Sequence, residues 1–350
     1  MQTILSDVIA LLRQLIATPS ISREEGAAAD IFAAFAEGHG LRPQRHGNNI
    51  LCCGPQRDDS PTLLLNAHID TVRPVDGWQR DPFTPLVEGD RLYGLGSNDC
   101  GGGLMALLAA YTLLRERETL PWNLVFLASC EEEVSGRGGI ESVLPLLPPI
   151  DCAIVGEPTG MHPAIAEKGL MVLDVTAHGR AGHAARNEGD NAIYHALDDI
   201  AWLRGHSFER VSPLLGAVKT SVTIVHAGTQ HNVVPDRCEF VVDVRSNECY
   251  SNAELLDYLS AHLSSEVHAR STRLNSSSIA ADHPLVRRAV ALGGRPFGSP
   301  TLSDQALMPW PSLKMGPGDS ARSHTADEYI CLSEIRDAVE RYLRIIGEKA

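Results

Sequence analysis

The stretch Asn123-Leu124-Val125-Phe126-Leu127-Ala128-Ser129-Cys130-Glu131-Glu132-Glu133 runs from an apolar strand straight into three consecutive carboxylates. Like charges held together at the end of a strand repel, and buried carboxylates are costly unless they are paired or bind a cation. A cation is therefore expected beside them. An acidic triplet alone is more often a solvated turn, but the pattern recurs. His68 and Asp70 follow Leu63-Leu64-Leu65, and Glu157 follows Ile154-Val155-Gly156.

Outward from this stretch, helical spacing of apolar residues predicts helices near residues 3 to 17 and 25 to 38, and short apolar runs predict strands over 49–53, 62–66, 122–129 and 152–155. The glycine run Gly101-Gly102-Gly103 leads into a further helix reaching Arg117, and another helical stretch follows Gly136. Alternating strands and helices of this kind predict an α/β fold with a mostly parallel sheet covered on both faces. Ligands of such sheets bind beyond the carboxyl ends of the strands. His68, Asp70, the triplet and Glu157 all lie there.

From Lys168 the rhythm changes. Strands are expected over 170–177, 220–226, 238–245 and 269–274, with helices over 191–203 and 253–263. That order is β-α-β-β-α-β, the ferredoxin-like unit. Residues 168–279 are thus read as a domain inserted into a discontinuous first domain, 1–167 and 280–350. The first domain closes with a helix over 284–292, an apolar segment over 313–315 and an amphipathic helix over 333–346.

A chain of 350 residues exceeds the usual size of one domain, and a net charge of -14 argues against nucleic acid or an anionic membrane as partner. No apolar stretch reaches the ~18 residues of a membrane span, and the N-terminus lacks a basic segment followed by an apolar one. The eight cysteines include no CxxC pair, and several sit in apolar segments where a reduced thiol acts as a small hydrophobe. A reduced protein of the cytoplasm is the expectation.

The candidate ligands are His68, Asp99, Glu133, Glu157 and His324, with Asp70, Glu131 and Glu132 close by in sequence. Two imidazoles among carboxylates suit zinc, cobalt or manganese better than magnesium or calcium. Five ligands exceed one tetrahedral site but fit two metals about 3.5 to 4 Å apart that share a carboxylate.

Asn66-Ala67-His68-Ile69-Asp70-Thr71-Val72, Gly94-Leu95-Gly96-Ser97-Asn98-Asp99, Glu131-Glu132-Glu133-Val134-Ser135-Gly136, Val155-Gly156-Glu157-Pro158-Thr159 and Gly316-Pro317-Gly318-Asp319 leading to His324 appear in this order. Together they resemble the M20-type co-catalytic metallopeptidases and deacylases, the family that includes acetylornithine deacetylase, succinyl-diaminopimelate desuccinylase and carboxypeptidase G. The resemblance covers nearly the whole chain. It implies that His68, Asp99 and Glu157 hold one divalent metal and Asp99, Glu133 and His324 the other, zinc being preferred over cobalt or manganese. It further implies that Asp70 orients His68, and that Glu132 is the general base for a metal-activated water. The inserted domain would serve for dimerisation or as a lid.

Within that domain, Gly179-Arg180-Ala181-Gly182-His183-Ala184-Ala185 resembles the family's lid motif, which makes His183 the expected oxyanion-stabilising residue. Asn232 and Arg245 stand where the family binds substrate, Arg245 as a partner for a carboxylate. One departure is the run Asp99-Cys100-Gly101-Gly102, where many relatives carry a lysine two residues after the bridging aspartate.

The resemblance is strongest to the acetylornithine deacetylase branch, which implies hydrolysis of N-acetylornithine, N-succinylornithine or an N-acylcitrulline in arginine biosynthesis, by a homodimer. Acetyl against succinyl stays open, because Arg180, Arg186 or Arg245 would pair with a succinyl carboxylate. Desuccinylation of succinyl-diaminopimelate and di- or tripeptide hydrolysis are the enzymatic alternatives. A catalytically silent binding or assembly relative is the non-enzymatic one.

Overall fold

Strand Thr62–His68 is buried along its whole length and forms the axis of a mixed sheet. It pairs in parallel with Asn123–Ser129 on one side and Cys152–Val155 on the other, and Ser312–Lys314 continues the parallel run beyond Cys152–Val155. The margins are antiparallel: Asn49–Cys53 pairs with Asn123–Ser129, Gln44–His46 with Asn49–Cys53, and Ala164–Glu167 with Ser312–Lys314. The structure is a computed structural model and describes residues 1–186 and 188–348.

Side chains divide between the two faces with the period of two that a pleated strand imposes. Leu63, Leu65 and Ala67, Leu124, Phe126 and Ala128, and Cys152 and Ile154 enter one core. There they meet the helices Gln2–Ile16, Gly26–Gly38, Gly102–Leu114 and Leu332–Gly347. Leu64, Val125, Leu127, Ala153 and Val155 enter a second core with Ile140, Val143 and Met308. Each fully buried leucine or phenylalanine contributes roughly 1.5 to 3 kcal/mol. Helix Gly102–Leu114 is buried nearly all round, as expected of a helix packed between the sheet and two other helices.

By its contacts the chain divides into two units. The first comprises Met1–Ile165, Ser278–Phe297 and the segment from Ser303 onward; the second comprises Ala166–Ser277 with Gly298–Leu302. In the second, four antiparallel strands lie in the order Lys219–Ala227, Arg237–Arg245, Met171–His178 and Glu266–Ala269. Helices Ala192–Gly205 and Asn252–His262 supply Ala196, Leu203, Leu255 and Leu259 to the core of this sheet. Asn191 and Ser251 cap them by accepting the N–H groups of Ile193 and Glu254.

The strand expected over 269–274 lies earlier, at Glu266–Ala269. Val267 and Ala269 face the core, whereas Arg270 turns outward to a two-pronged pair with Asp174. The sequence reading also lacked a small antiparallel sheet of Leu86–Glu88, Arg91–Tyr93 and Tyr329–Cys331. This sheet holds the chain just after His324 against the chain just before Asp99. Among the described residues no helix is long and apolar enough to cross a membrane.

Candidate metal centre

Because the three central strands are parallel, their carboxyl ends open on one edge, and each delivers a polar side chain there. His68 is the last residue of its strand, the triplet follows Ser129 after Cys130, and Glu157 follows Val155 after Gly156. Close approach of backbones sets the last of these. A Cβ on Gly103 would lie 1.5 Å from the carbonyl oxygen of Gly156, so only glycine lets the start of helix Gly102–Leu114 press against the strand end before Glu157.

Asp99 stands between the two imidazoles. Its Oδ1 is 3.3 Å from His68 Nε2 and its Oδ2 is 3.6 Å from His324 Nε2. His68 Nε2 lies 3.7 Å from Glu157 Oε1, and His324 Nε2 lies 3.0 Å from Glu133 Oε2. The five expected ligands are thus brought together in the first unit as two overlapping groups that share Asp99. Glu132 Oε2 sits 3.9 Å from His68 Nε2, next to the first group.

Asp70 meets His68 with both its backbone and its side chain. His68 Nδ1 donates to the backbone carbonyl of Asp70 at 2.9 Å, while the carboxylate oxygen Oδ1 stays 3.5 Å away. The carboxylate also accepts the N–H groups of Glu132 and Glu133 and the hydroxyl of Ser22, at 3.1, 3.2 and 2.7 Å. One residue therefore orients the imidazole through its backbone and the acidic triplet through its side chain. Burial pushes the Asp70 pKa up, but the neighbouring His68 first, and then the hydrogen bonds from Ser22 and Glu132, hold it below the usual carboxylate range.

Glu131 turns away from the two groups. It adopts a left-handed φ of 55°, and its carboxylate accepts the N–H of Gly138 and packs against Gly136, where a Cβ would lie 1.8 Å from Glu131 Oε2. Its N–H donates to Glu25, which is itself fully buried. Ser135 and His324 also have positive φ, so the centre concentrates backbone conformations that cost free energy elsewhere.

Electrostatically the site is short of positive charge. Among the described residues, Asp70, Asp99, Glu132, Glu133, Glu157 and Asp304 converge on it, and the groups of opposite sign that face them include His68, His324 and Lys314. Burial and then Asp99 push Glu157 up to about 8, against the pull of Lys314, and burial raises Glu132 well above a normal glutamate. The hydrogen bond to Glu133 lifts His324 to about 9. Glu157 Oε1 is buried and has no hydrogen-bond partner among the described residues. A buried orphan acceptor, imidazoles in line with carboxylates and protons held where anions crowd together are what a divalent cation would relieve, so these residues fit two such ions. Two groups of side chains lie close enough to hold a metal, His68–Asp99–Glu133 and His68–Cys100–Glu157, and they differ from the expected sets in leaving out His324 and including Cys100.

Three residues were missed by sequence reasoning. Asp304, buried, accepts from Ser129 at 2.6 Å at the end of the triplet's strand, and burial raises it to about 6. Glu328, also buried, accepts the N–H groups of Gly96, Asn98 and Asp99 and fixes the loop carrying the shared carboxylate. Lys314 is only 3% exposed. Its signal was available as a lysine inside the apolar run Ser312-Leu313-Lys314-Met315, whereas Asp304 and Glu328 lie in segments without periodicity.

The remaining expected residues lie in the second unit. His183 pairs with Val233 in a two-stranded ladder, and Asn232 accepts the Ala184 N–H through its backbone carbonyl. Arg245, at the end of strand Arg237–Arg245, donates from Nε and one terminal nitrogen to Asp243 at 2.9 and 3.1 Å. Two donors of its fork are thereby engaged inside the unit.

Comparison with known proteins bears on this geometry. The model of peptidase family M20/M25/M40 matches residues 64–348. Acetylornithine deacetylases of Klebsiella pneumoniae and Edwardsiella ictaluri are 31% and 30% identical to this chain, each over 94% of both sequences. Succinyl-diaminopimelate desuccinylase of Gluconobacter oxydans is 28% identical over 73% of this chain and 71% of its own length. Among solved structures, aminopeptidase PepT from Bacillus cereus superimposes with a TM-score of 0.77 at 19% identity, covering 98% of each chain. A dinuclear metal-binding M20 peptidase from Bacillus subtilis, YXEP, gives 0.73 at 17% identity, covering 99% of this chain and 98% of its own.

Proposed function

The chain belongs to peptidase family M20/M25/M40 and is a metallohydrolase, and from that premise we propose that it hydrolyses the amide of a small N-acyl amino acid, N-acetylornithine first among the candidates. The observation that carries the chemistry is the position of Glu132, half-buried beside His68 while its two neighbours in the triplet face other tasks. His68, Asp99 and Glu157 would hold one divalent ion, and Asp99, Glu133 and His324 the other. When bound, two such ions, zinc preferred, polarise a carbonyl and lower the pKa of water towards 7.

Glu132 Oε2 takes a proton from the attacking water and gives it to the departing amine. A carboxylate whose pKa is raised takes a proton from water more readily than an ordinary glutamate, and it can still pass that proton to an amine, which is the stronger base. Asp70 keeps this group on station through the backbone of the triplet.

For the second unit we retain the reading of a ferredoxin-like insertion over residues 168–279 that acts as a lid and dimerises the protein. Its β-α-β-β-α-β element order and its antiparallel sheet support this. In that reading His183 donates to the developing oxyanion, Asn232 contacts the substrate, and Arg245 pairs with the substrate carboxylate through the donors that Asp243 does not engage.

N-acetylornithine is favoured by the coverage of 94% in both directions with the acetylornithine deacetylases, which fits a cytoplasmic enzyme of arginine biosynthesis. The desuccinylase likeness supports a second reading, with a dicarboxylic acyl group. The test is hydrolysis of N-acetylornithine, N-succinylornithine, N-acetylcitrulline, N-succinyl-diaminopimelate and a dipeptide, each with and without chelator. Turnover of N-acetylornithine lost to chelator supports the proposal. Turnover of only the succinyl substrates or the dipeptide replaces it, and activity on none despite two bound metals points to a silent binding protein.

A further inference from the structure

Asn98 immediately precedes the shared carboxylate and is completely buried. Both ends of its side-chain amide engage a segment that begins 221 residues further along the chain. Nδ2 donates to the Asp319 carbonyl at 3.0 Å and Oδ1 accepts the Asp319 N–H at 3.2 Å, so the amide acts as one rung of a strand pair. Nδ2 also donates to Ser323 Oγ at 3.2 Å. The approach is close enough to require glycine at position 318, where φ is 85° and a Cβ would lie 2.3 Å from Asn98 Oδ1.

Ser323 leads directly into His324, which has a left-handed φ of 57°. A histidine keeps such a conformation only where its surroundings impose it. Beyond it, Glu328 accepts the N–H groups of Asn98 and Asp99 at 2.8 and 3.0 Å. His324 is therefore bracketed, the chain before it tied to the Asn98 side chain and the chain after it to the backbone of the same loop. An asparagine that served only its local backbone would bond within its own turn, whereas this amide joins the loops that carry Asp99 and His324. We propose that Asn98 is a positioning residue that sets how far His324 stands from Asp99, 3.6 Å here, and so governs the metal position of Glu133 and His324. The Asp99 backbone stays tied to Glu328 without it, so the position of His68 and Glu157 depends on it less.

This inference rests on the two-metal reading, and the experiment separates the two. Stepwise zinc binding, followed by competition with a chromophoric chelator, is compared in wild type, Asn98→Ala and Ser323→Ala, with the melting temperature of each metal-free protein alongside. Residues that hold ligands in place govern about 10- to 100-fold in metal affinity, so Asn98→Ala should weaken one step by that much and leave the other at its wild-type value. Added to Glu133→Ala, which lacks the affected position, it should change the remaining ion no further. Wild-type binding in both steps, equal weakening of both, or a further loss in the Glu133→Ala background overturns the proposal and leaves the two-metal reading intact. Ser323→Ala removes one hydroxyl from the link and keeps the amide pair, so it decides the matter should Asn98→Ala fail to fold. A selective loss smaller than that expected of Asn98→Ala supports the proposal, and unchanged binding overturns it. A wild type that binds fewer than two ions overturns both readings.

Discussion

The carboxylate of Asp70 accepts the backbone N–H of Glu132 at 3.1 Å, which couples the end of the central strand to the proposed proton carrier on the neighbouring one. Asp70 also accepts from Glu133 and Ser22 and is 1% exposed, so its removal strands three donors. Asp70→Ala is expected to cost about 1 to 3 kcal/mol for each donor left buried and unpaired, and Asp70→Asn less, since one oxygen remains. Thermal unfolding of the metal-free proteins would measure this, and a melting temperature equal to wild type would rule it out.

Glu132→Gln keeps the shape and removes the proton acceptor. Turnover should fall about 10²- to 10⁴-fold while metal content stays at the wild-type level. Loss of metal in parallel with activity would make Glu132 a ligand instead.

The overlap of the two groups at Asp99 makes metal stoichiometry a sharp readout. Glu133→Ala and Glu157→Ala should each remove one ion from opposite members of the pair, and Asp99→Ala should weaken both. Elemental analysis after gel filtration decides it. Full loading of Asp99→Ala would refute the shared position.

The metal-free protein should lose stability as pH rises. His324 is lifted from 6.5 to about 9 by Glu133, Glu157 from 4.5 to about 8 by burial, and Glu328 from 4.5 to about 7 by burial. Each folded pKa exceeds its unfolded value, so the protonated form is the one the fold favours. That contribution is complete below the unfolded pKa and disappears as pH climbs through the folded one. With chelator, the melting temperature should therefore fall between pH 5 and pH 9. Loading must expel the His324 and Glu157 protons, so affinity should strengthen over the same range. A chelated protein whose melting temperature rises from pH 5 to pH 9 would contradict the assignment.

Gly103→Ala tests the backbone approach that positions Glu157. Its Cβ would meet backbone atoms of Gly156, which cannot rotate away, and overpacking of this kind costs about 1 to 3 kcal/mol or more. The variant should unfold at lower temperature and bind the His68-side metal less tightly. Wild-type behaviour on both counts would show that the strand end can shift freely.

Which elements exist was legible from local signals. The buried runs before His68, the triplet and Glu157 stand in the sequence as strands, and helix Gly102–Leu114 announces itself by its glycine entry and unbroken apolar content. The strand at Glu266–Ala269 was misjudged by a few residues because a short edge strand with alternating charge carries little periodicity. The small sheet of Leu86–Glu88, Arg91–Tyr93 and Tyr329–Cys331 was missed for the same reason: each strand has three residues, and two of them pair across more than two hundred positions.

For the site, residue types and order were enough to nominate five ligands and a base, since clustered carboxylates and imidazoles have few uses that tolerate burial. Distances were not available that way. Only the parallel register of Thr62–His68 with Asn123–Ser129 and Cys152–Val155 makes three strand ends coincide, and only the return of the chain after Ser312–Lys314 brings His324 to Glu133 across 191 residues. The sequence by itself therefore determined the chemistry this protein can carry, because side-chain type and local pattern are local properties. Tertiary structure alone decided that Asp70 serves the triplet through its carboxylate, that Asp304, Glu328 and Lys314 surround the site, and that Cys100 packs its sulfur against the His68 backbone. Those are matters of burial and angular placement between segments far apart in the chain, and they come into being only when the sheet closes.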